Sequence, residues 1–328
     1  FKQKTAYEIR LSLVGSEMCI RDSFYGMRDA IVFSTGYQAN LGLLAGLTGP
    51  GDVVLLDADC HASIYDGCRL SGTEVIRFRH NDADDLTRRM RRLGPRAADA
   101  LIALEGIYSM LGDRAPLREL VAVKREFGGY LLVDEAHSMG VCGAGGRGLA
   151  EELGVLAEVD FVIGTFSKSL GGGGGFCVSD RPELDLIRYA SRPYIFTASP
   201  APATIASTRV ALRRLAQGHD LRQRLRENYE QLHAGLLALG YTLGAPPGAV
   251  IAVVLGERGE ALKLWHELLL RGVYVNLMLP PATPDGVSLI RCSLSAAHTT
   301  AQIDAVCAAF AEVRPAAGAT PPAQRAAM

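Results

Sequence analysis

Residues 130–140 read YLLVDEAHSMG, and residues 161–179 read FVIGTFSKSLGGGGGFCVS. Each opens on a short, almost unbroken apolar run and then turns abruptly polar, at Asp134 in the first and at Thr165, Ser167 and Lys168 in the second. A strand that is apolar on both faces is covered on both, as in a mostly parallel sheet between layers of helices. Ligands of such sheets bind beyond the carboxyl ends of the strands. A carboxylate at a buried strand end is costly unless a cation or a hydrogen-bond donor meets it. Asp134 therefore predicts a partner close by.

The same pattern extends outward in both directions. Further strands are predicted at AIVFS (30–34), DVVLLD (52–57), EVIRF (74–78) and ALIALE (100–105), with FVIG (161–164) and GFCVS (175–179) flanking the lysine loop. Helical periods fill 38–47, 61–71, 82–93 and 116–127 between them. After about Thr197 the pattern changes to long helices, 201–216 and 219–239, then AVIAVVL (249–255), a helix at 258–271, VYVN (273–276), SLIRCSL (288–294) and a helix at 299–312. This predicts a large α/β domain over 24–200 and a smaller α+β domain with linking helices over 201–314. The tail 315–328, rich in Pro and Ala, is expected to be disordered. Residues 1–23 have neither a signal peptide's order of charge, apolar core and cleavage site nor a sustained period. They resemble a translated sequencing adapter and are left out of the fold reading, which implies that a native N-terminal region is missing.

The chain has 328 residues, 34 basic against 35 acidic, and a net charge of -1, with 48% hydrophobic residues and 36 glycines. Collagen, coiled coil and wholesale disorder are excluded. A near-neutral balance supplies no long-range field for nucleic acid or an anionic membrane. No uninterrupted apolar run of spanning length occurs, so membrane contact is expected to be peripheral at most. The seven cysteines form no C-x-x-C pair and have no zinc-site spacing, and they read as small buried hydrophobes of a cytoplasmic protein; no metal is expected.

The letters DEAH (134–137) suggest an ATPase acidic motif, but that chemistry needs G-x-x-x-x-G-K-[ST] upstream, and no segment supplies it. The alternative is a carboxylate facing the pyridine nitrogen of pyridoxal 5'-phosphate, keeping the ring protonated as an electron sink. That chemistry requires a lysine for the Schiff base near the same sheet edge, and Lys168 is suitably placed. Thr165 and Ser167 could bond a phosphate there, and glycines admit close backbone approach. Taken alone, Lys168 reads as a solvated lysine and the glycine run as a linker.

VDEAHSMG (133–140) and GTFSKSLGG (164–172), preceded by DADCHASIYDG (57–67) and EGIYSMLGD (105–113), resemble the α-oxoamine synthases from about Phe24 to Glu312. These are fold-type I pyridoxal-phosphate enzymes that condense an amino acid with an acyl-CoA and release CO2. FRHND (78–82), RPYIFTAS (192–199) and PPATPDGVSLIRCSLSAAHT (280–299) look closest to bacterial members that join L-serine to palmitoyl-CoA, giving 3-oxosphinganine. The resemblance implies that Lys168 binds the cofactor and serves as base, that Asp134 pairs with the pyridine nitrogen, and that His137 meets the phenolic oxygen. It implies that His61 stacks on the ring and reaches the substrate carboxylate, with helix capping near Ser63 as the rival role. Gly36 and Tyr37, in STGYQAN (34–40), match a phosphate-binding turn, and Glu105 and Ser109 a strand-end loop beside the cofactor. Thr197 matches a residue that reaches the phosphate held by the other subunit, which implies a homodimer with sites at its interface. Arg291 matches the arginine that binds the serine carboxylate.

Two departures stand out: Gly171–Gly175 is an unbroken glycine run, and, if residues 1–23 are adapter-derived, the family's N-terminal part, which helps form the acyl-CoA channel, is expected to have no counterpart. Two other readings stay open. One is a synthase of the same family making 2-amino-3-oxobutyrate, 5-aminolevulinate or 8-amino-7-oxononanoate; the other is a non-catalytic partner subunit, against which Lys168, Asp134 and both histidines argue.

Overall fold

The computed structural model describes Ile20 and residues 24–283 and 286–314. The rest of the 1–23 stretch and the tail 315–328 lie outside the described residues. The chain divides into two compact units, one running to Ile107 and resuming over Arg114–His219, the other made of Tyr108–Asp113 and everything from Asp220 on. The sequence reading ends the large domain at 200. The compact unit continues to His219 because helix Pro202–Gln217 buries Ile205, Thr208 and Leu212, and a Cβ placed on Gly172 would lie 2.8 Å from Thr208 Oγ1.

The first unit is built on a seven-stranded sheet in the order β1-β7-β6-β5-β4-β2-β3. These strands are β1 (Asp29–Phe33), β2 (Val53–Asp57), β3 (Glu74–Phe78), β4 (Leu101–Glu105), β5 (Tyr130–Asp134), β6 (Phe161–Thr165) and β7 (Gly175–Ser179). From β3 to β6 every pairing is parallel, and β7 and β1 add antiparallel neighbours at one edge. Four of the seven, β2, β4, β6 and β7, are buried throughout, and β1 and β5 are buried in all but their first residue, as apolar strands covered on both faces must be. The parallel register sets Glu105 beside Asp134 and Asp134 beside Ile163, so β4 and β5 finish in line and β6 runs two residues further, to Thr165.

The covering helices carry their own start and stop signals. In α1 (Gly36–Leu47), Thr35 is the N-cap, its Oγ1 accepting from Gln38 N at 3.0 Å. The buried face of α1 is Ala39, Asn40, Gly42, Leu43 and Leu44. In α2 (Ala62–Ser71) the cap is His61, and the helix ends on Gly72 in the left-handed region at φ 72°. In α3 (Ala83–Leu93) Asp82 caps Asp85 N, the first turn is acidic and the last basic, in keeping with the helix dipole.

At the opposite end of the sheet, Asp160 is buried between three donors. Its carboxylate accepts from Lys124 Nζ at 2.5 Å, Arg181 Nε at 2.7 Å and Leu131 N at 2.8 Å.

The second unit is an antiparallel sheet in the order β8-β10-β9, formed by Val250–Leu255, Ser288–Ser293 and Asn276–Met278. Its core gathers Leu232, Leu236, Ile251, Val253, Leu264, Leu268, Ile290 and Phe310. The last helix, Thr300–Glu312, starts with a capping box between Thr299 and Gln302. The sequence reading puts a strand at 273–276, but the pairing begins only at Asn276. Gly272 closes the preceding helix at φ 76°, Val273 N bonds Leu268 O, and Tyr274 stands 79% exposed, so the chain is still leaving the helix there. Among the described residues no helix is long and apolar enough to cross a membrane.

Removing a buried carboxylate that holds a nearly buried ammonium leaves an uncompensated charge. Asp160→Ala should therefore cost the first unit about 3 kcal/mol, read as a lower urea midpoint. A midpoint within experimental error of the parent would show that this cluster does not anchor the sheet.

Candidate active site

Beyond the carboxyl ends of β4, β5 and β6 lies a pocket of about 190 Å³. Its lining includes Gly36, Tyr37, His61, Glu105, Asp134, His137, Thr165, Ser167 and Lys168, all expected from sequence, together with Thr35, Asn40, Ser63, Ala136, Ile163 and Gly164, which were not.

The α1 N-terminus reaches this pocket because two glycines let backbone approach backbone. A Cβ on Gly36 would lie 2.9 Å from Thr165 Cβ and Oγ1, and one on Gly175 would lie 2.5 Å from Gly36 Cα. Only hydrogen fits at either position. The amides of the first helical turn have no partners within the helix and carry its positive dipole end. Hydroxyls stand next to them: Thr165 Oγ1 lies 2.9 Å from Ser167 Oγ and donates to Gly174 O at 3.1 Å. Lys168 follows on an exposed bend. Backbone amides, hydroxyls and a lysine in one place form a receptor for a phosphate-bearing anion.

Asp134 is buried, and both of its oxygens are engaged. Oδ1 accepts from Ala136 N at 2.9 Å, and Oδ2 from Asn40 Nδ2 at 2.8 Å. The partner that a buried carboxylate demands is therefore an amide side chain from α1. Glu105, its neighbour across the register, has one donor, His61 N at 2.5 Å. Burial pushes the Glu105 carboxyl well above the usual carboxylate range, the adjacent Asp134 charge pushes it further, and the His61 amide and Lys168 only partly offset this.

His61 caps a helix and also lines the pocket. Its Nδ1 accepts from Ser63 N at 3.2 Å, capping α2, and the ring lines the pocket, with Tyr37 edge-on at 6.1 Å. Tyr37 in turn donates to Asp66. Burial lowers the imidazole pKa and Lys168 lowers it further, while Asp134 opposes them, which favours the neutral ring. His137, half-buried in the turn after β5, lines the pocket as well.

Three expected residues are not part of the lining. Ser109 and Arg291 belong to the second unit, where Arg291 Nη1 donates to Ser109 O at 3.0 Å and burial lowers the guanidinium pKa. Thr197 Oγ1 accepts from Gln38 Nε2 at 3.2 Å, in the first turn of α1. The glutamate of the DEAH letters is structural. Glu135 is fully buried and accepts from Leu149 N at 2.9 Å, from Ala150 N at 2.8 Å and from the Ser138 hydroxyl. Asn40 was legible in principle, as the one strongly polar residue on the apolar face of an otherwise apolar helix.

The raised Glu105 pKa sets a pH dependence. A folded-state pKa above the unfolded one contributes stability that is full below the unfolded pKa and is lost as pH rises through the folded one. Glu105→Gln keeps an oxygen for His61 N without the ionisation. In the cofactor-free chain it should gain melting temperature over the parent as pH rises from acid through neutral, the two converging at low pH. Parallel melting curves at every pH would refute a strained carboxyl at this position.

The sequence signature described as aminotransferase class I and II matches residues 22–310. A serine palmitoyltransferase of Caulobacter vibrioides is 57% identical over 303 residues, 92% of this chain and 75% of that protein. An 8-amino-7-oxononanoate synthase of Methylococcus capsulatus is 40% identical over 293 residues, 89% of this chain and 75% of that one. Among solved structures, serine palmitoyltransferase from S. paucimobilis with a bound PLP–myriocin aldimine superposes with a TM-score of 0.89 at 49% identity, covering 92% of this chain and 76% of that one. A signature spanning most of the chain and relatives this close place the chain in the aminotransferase class I and II family, within its α-oxoamine synthase branch.

Proposed function

We propose that this chain is a pyridoxal-phosphate enzyme that condenses L-serine with palmitoyl-CoA, releasing CoA and CO2 and yielding 3-oxosphinganine. The observation that carries this reading is that one pocket presents a helix N-terminus with hydroxyls, a buried carboxylate with both oxygens fixed, and a lysine. Those three groups suit, in turn, the phosphate, the pyridine nitrogen and the aldehyde of the cofactor. The 57% identity to a serine palmitoyltransferase supports the choice of substrates.

The residues fit that cofactor on chemical grounds. Gly36 leaves room for an anion against the α1 amides, with the Ser167 hydroxyl as a further donor and the Thr165 hydroxyl, which donates to Gly174 O, beside it. Asp134 would hold the pyridine nitrogen protonated, His137 would donate to the phenolic oxygen, and the neutral His61 ring would cover the ring face. Bound there, the protonated pyridine would accept the electron pair left at the substrate Cα when a proton or a carboxylate departs.

The chain's own groups would do the rest. Lys168 Nζ would bind the cofactor, and once displaced by the serine amine it would take the proton from Cα. Arg291 would grip the serine carboxylate through its two-pronged guanidinium. Glu105, with its raised pKa, would limit the negative charge beside Asp134. Ser109, whose carbonyl accepts from Arg291 Nη1, would help hold that guanidinium in place. Thr197 would reach the phosphate held by a second copy, making the active unit a homodimer working in the cytoplasm.

The 40% identity to an 8-amino-7-oxononanoate synthase supports a second reading, with L-alanine as the amino acid. The full chain with added pyridoxal phosphate should show a visible absorbance band that shifts with L-serine and less with glycine or L-alanine. It should also yield a product of 3-oxosphinganine mass from palmitoyl-CoA. Lys168→Ala should abolish the band and lower turnover at least about 1000-fold. A chain that stays colourless overturns the enzyme reading, and a response confined to L-alanine overturns the choice of serine.

A further inference from the structure

Asn40 sits on the buried face of α1, 2% exposed, and both of its amide protons are used inside the pocket. Nδ2 donates to Asp134 Oδ2 at 2.8 Å and to Ser63 Oγ at 3.0 Å. Asp134 Oδ2 can only accept, so the NH2 end of the amide has to face it. That orientation leaves Asn40 Oδ1 buried with no partner, a cost that the opposite orientation would move onto the carboxylate. The amide is therefore set for Asp134 and Ser63, against its own hydrogen-bonding needs.

The direction of the remaining bonds then follows by counting protons. Ser63 N can only donate, and its partner is His61 Nδ1, so Nδ1 carries no proton. The contact of 2.8 Å between Ser63 Oγ and His61 Nδ1 must then be donated by the hydroxyl. A hydroxyl has one proton, and with it committed to His61, Ser63 Oγ is left to accept from Asn40. Every bond in the series is thereby directed, from Asn40 through Ser63 to His61, with Asp134 fixed from the same nitrogen. The proton of the imidazole is left on Nε2.

We infer that Asn40 is a positioning residue, which orients the Asp134 carboxylate and, through Ser63, holds the His61 ring with its proton on Nε2. Asp134 is braced from two sides, by Ala136 N from its own turn and by Asn40 from α1, so the carboxylate cannot rotate without breaking one bond. The same side chain ties α1, whose first turn lines the pocket, to the strand end that carries Asp134. The tautomer rests on the bonds alone, whereas the consequence for cofactor binding rests on the function proposed above.

The test uses nitrogen-15 correlation spectra of the histidine rings in the unloaded full chain, with pyridoxal-phosphate affinity measured separately. In the parent, the His61 Nδ1 resonance should lie at the position of a bare ring nitrogen and Nε2 at that of a protonated one. Ser63→Ala and Asn40→Ala should each move the two resonances toward one another, as the tautomers mix. Asn40→Ala should also raise the cofactor's Kd about tenfold, the effect of one hydrogen bond to a charged acceptor. If Asn40→Ala does not fold by circular dichroism, the parent spectrum and Ser63→Ala decide. A parent ring with its proton on Nδ1, or variants that keep the parent tautomer, would overturn the inference. A parent that binds no cofactor but shows the Nε2 proton would sink the proposed function and leave the hydrogen-bond series standing.

Discussion

The site depends on one steric constraint, the approach of the first turn of α1 to the ends of β6 and β7. The approach is so close that a methyl on Gly36 would strike the Thr165 side chain and one on Gly175 would strike the Gly36 backbone, so neither position has room for one. Close packing leaves little slack in such a contact, since the interior has few voids to absorb an added methyl. Once the contact forms, the unpaired amides of a helix start and the hydroxyls of Thr165 and Ser167 share one pocket with Lys168. Asn40, one turn further along the same helix, is delivered to Asp134 at the same time.

The second constraint is electrostatic. Parallel register forces Glu105 and Asp134 side by side at the strand ends, both buried. Two ionised carboxylates in that arrangement are costly, and the structure treats them unequally: Asp134 receives two donors and Glu105 one. The asymmetry originates in the elements, because α1 supplies an amide side chain to one carboxylate while the start of α2 supplies only a backbone amide to the other. Lys168 bears on both Glu105 and His61, lowering the pKa of each. The pocket thus works as a coupled set of charges.

How much of this was legible in the sequence depends on whether a feature is periodic. EVIRF, YLLVD and GFCVS form strands over the residues expected, because an apolar run bounded by Gly, Asp or Ser leaves few other solutions. The strand expected at 273–276 begins only at its last residue, since Val273 still closes a helix and sequence pattern does not weigh a helix's last hydrogen bond against a strand's first. The motifs found Asp134, His137 and Lys168 because strand-end polar residues stand out against apolar runs. They missed Asn40 and Ser63, whose importance lies in which atom donates to which, a property of three-dimensional contact rather than spacing. Glu135, inside the same run of letters, serves backbone amides at Leu149 and Ala150.

His61 shows why folding and site-building are hard to separate here. Its Nδ1 ends the series of donors from Asn40 and also caps α2, so the bond that helps start a helix is the bond that fixes which nitrogen keeps the proton. Its backbone N–H, which α2 does not use, satisfies Glu105. Capping groups satisfy the free amides of a helix end, and here the cap is drawn from the side chains around the pocket. The orientation of the ring is therefore maintained by the stability of α2, and it needs no ligand to set it. A site assembled from element ends inherits its precision from the elements, because the hydrogen bonds that end strands and begin helices are also the ones that aim its side chains.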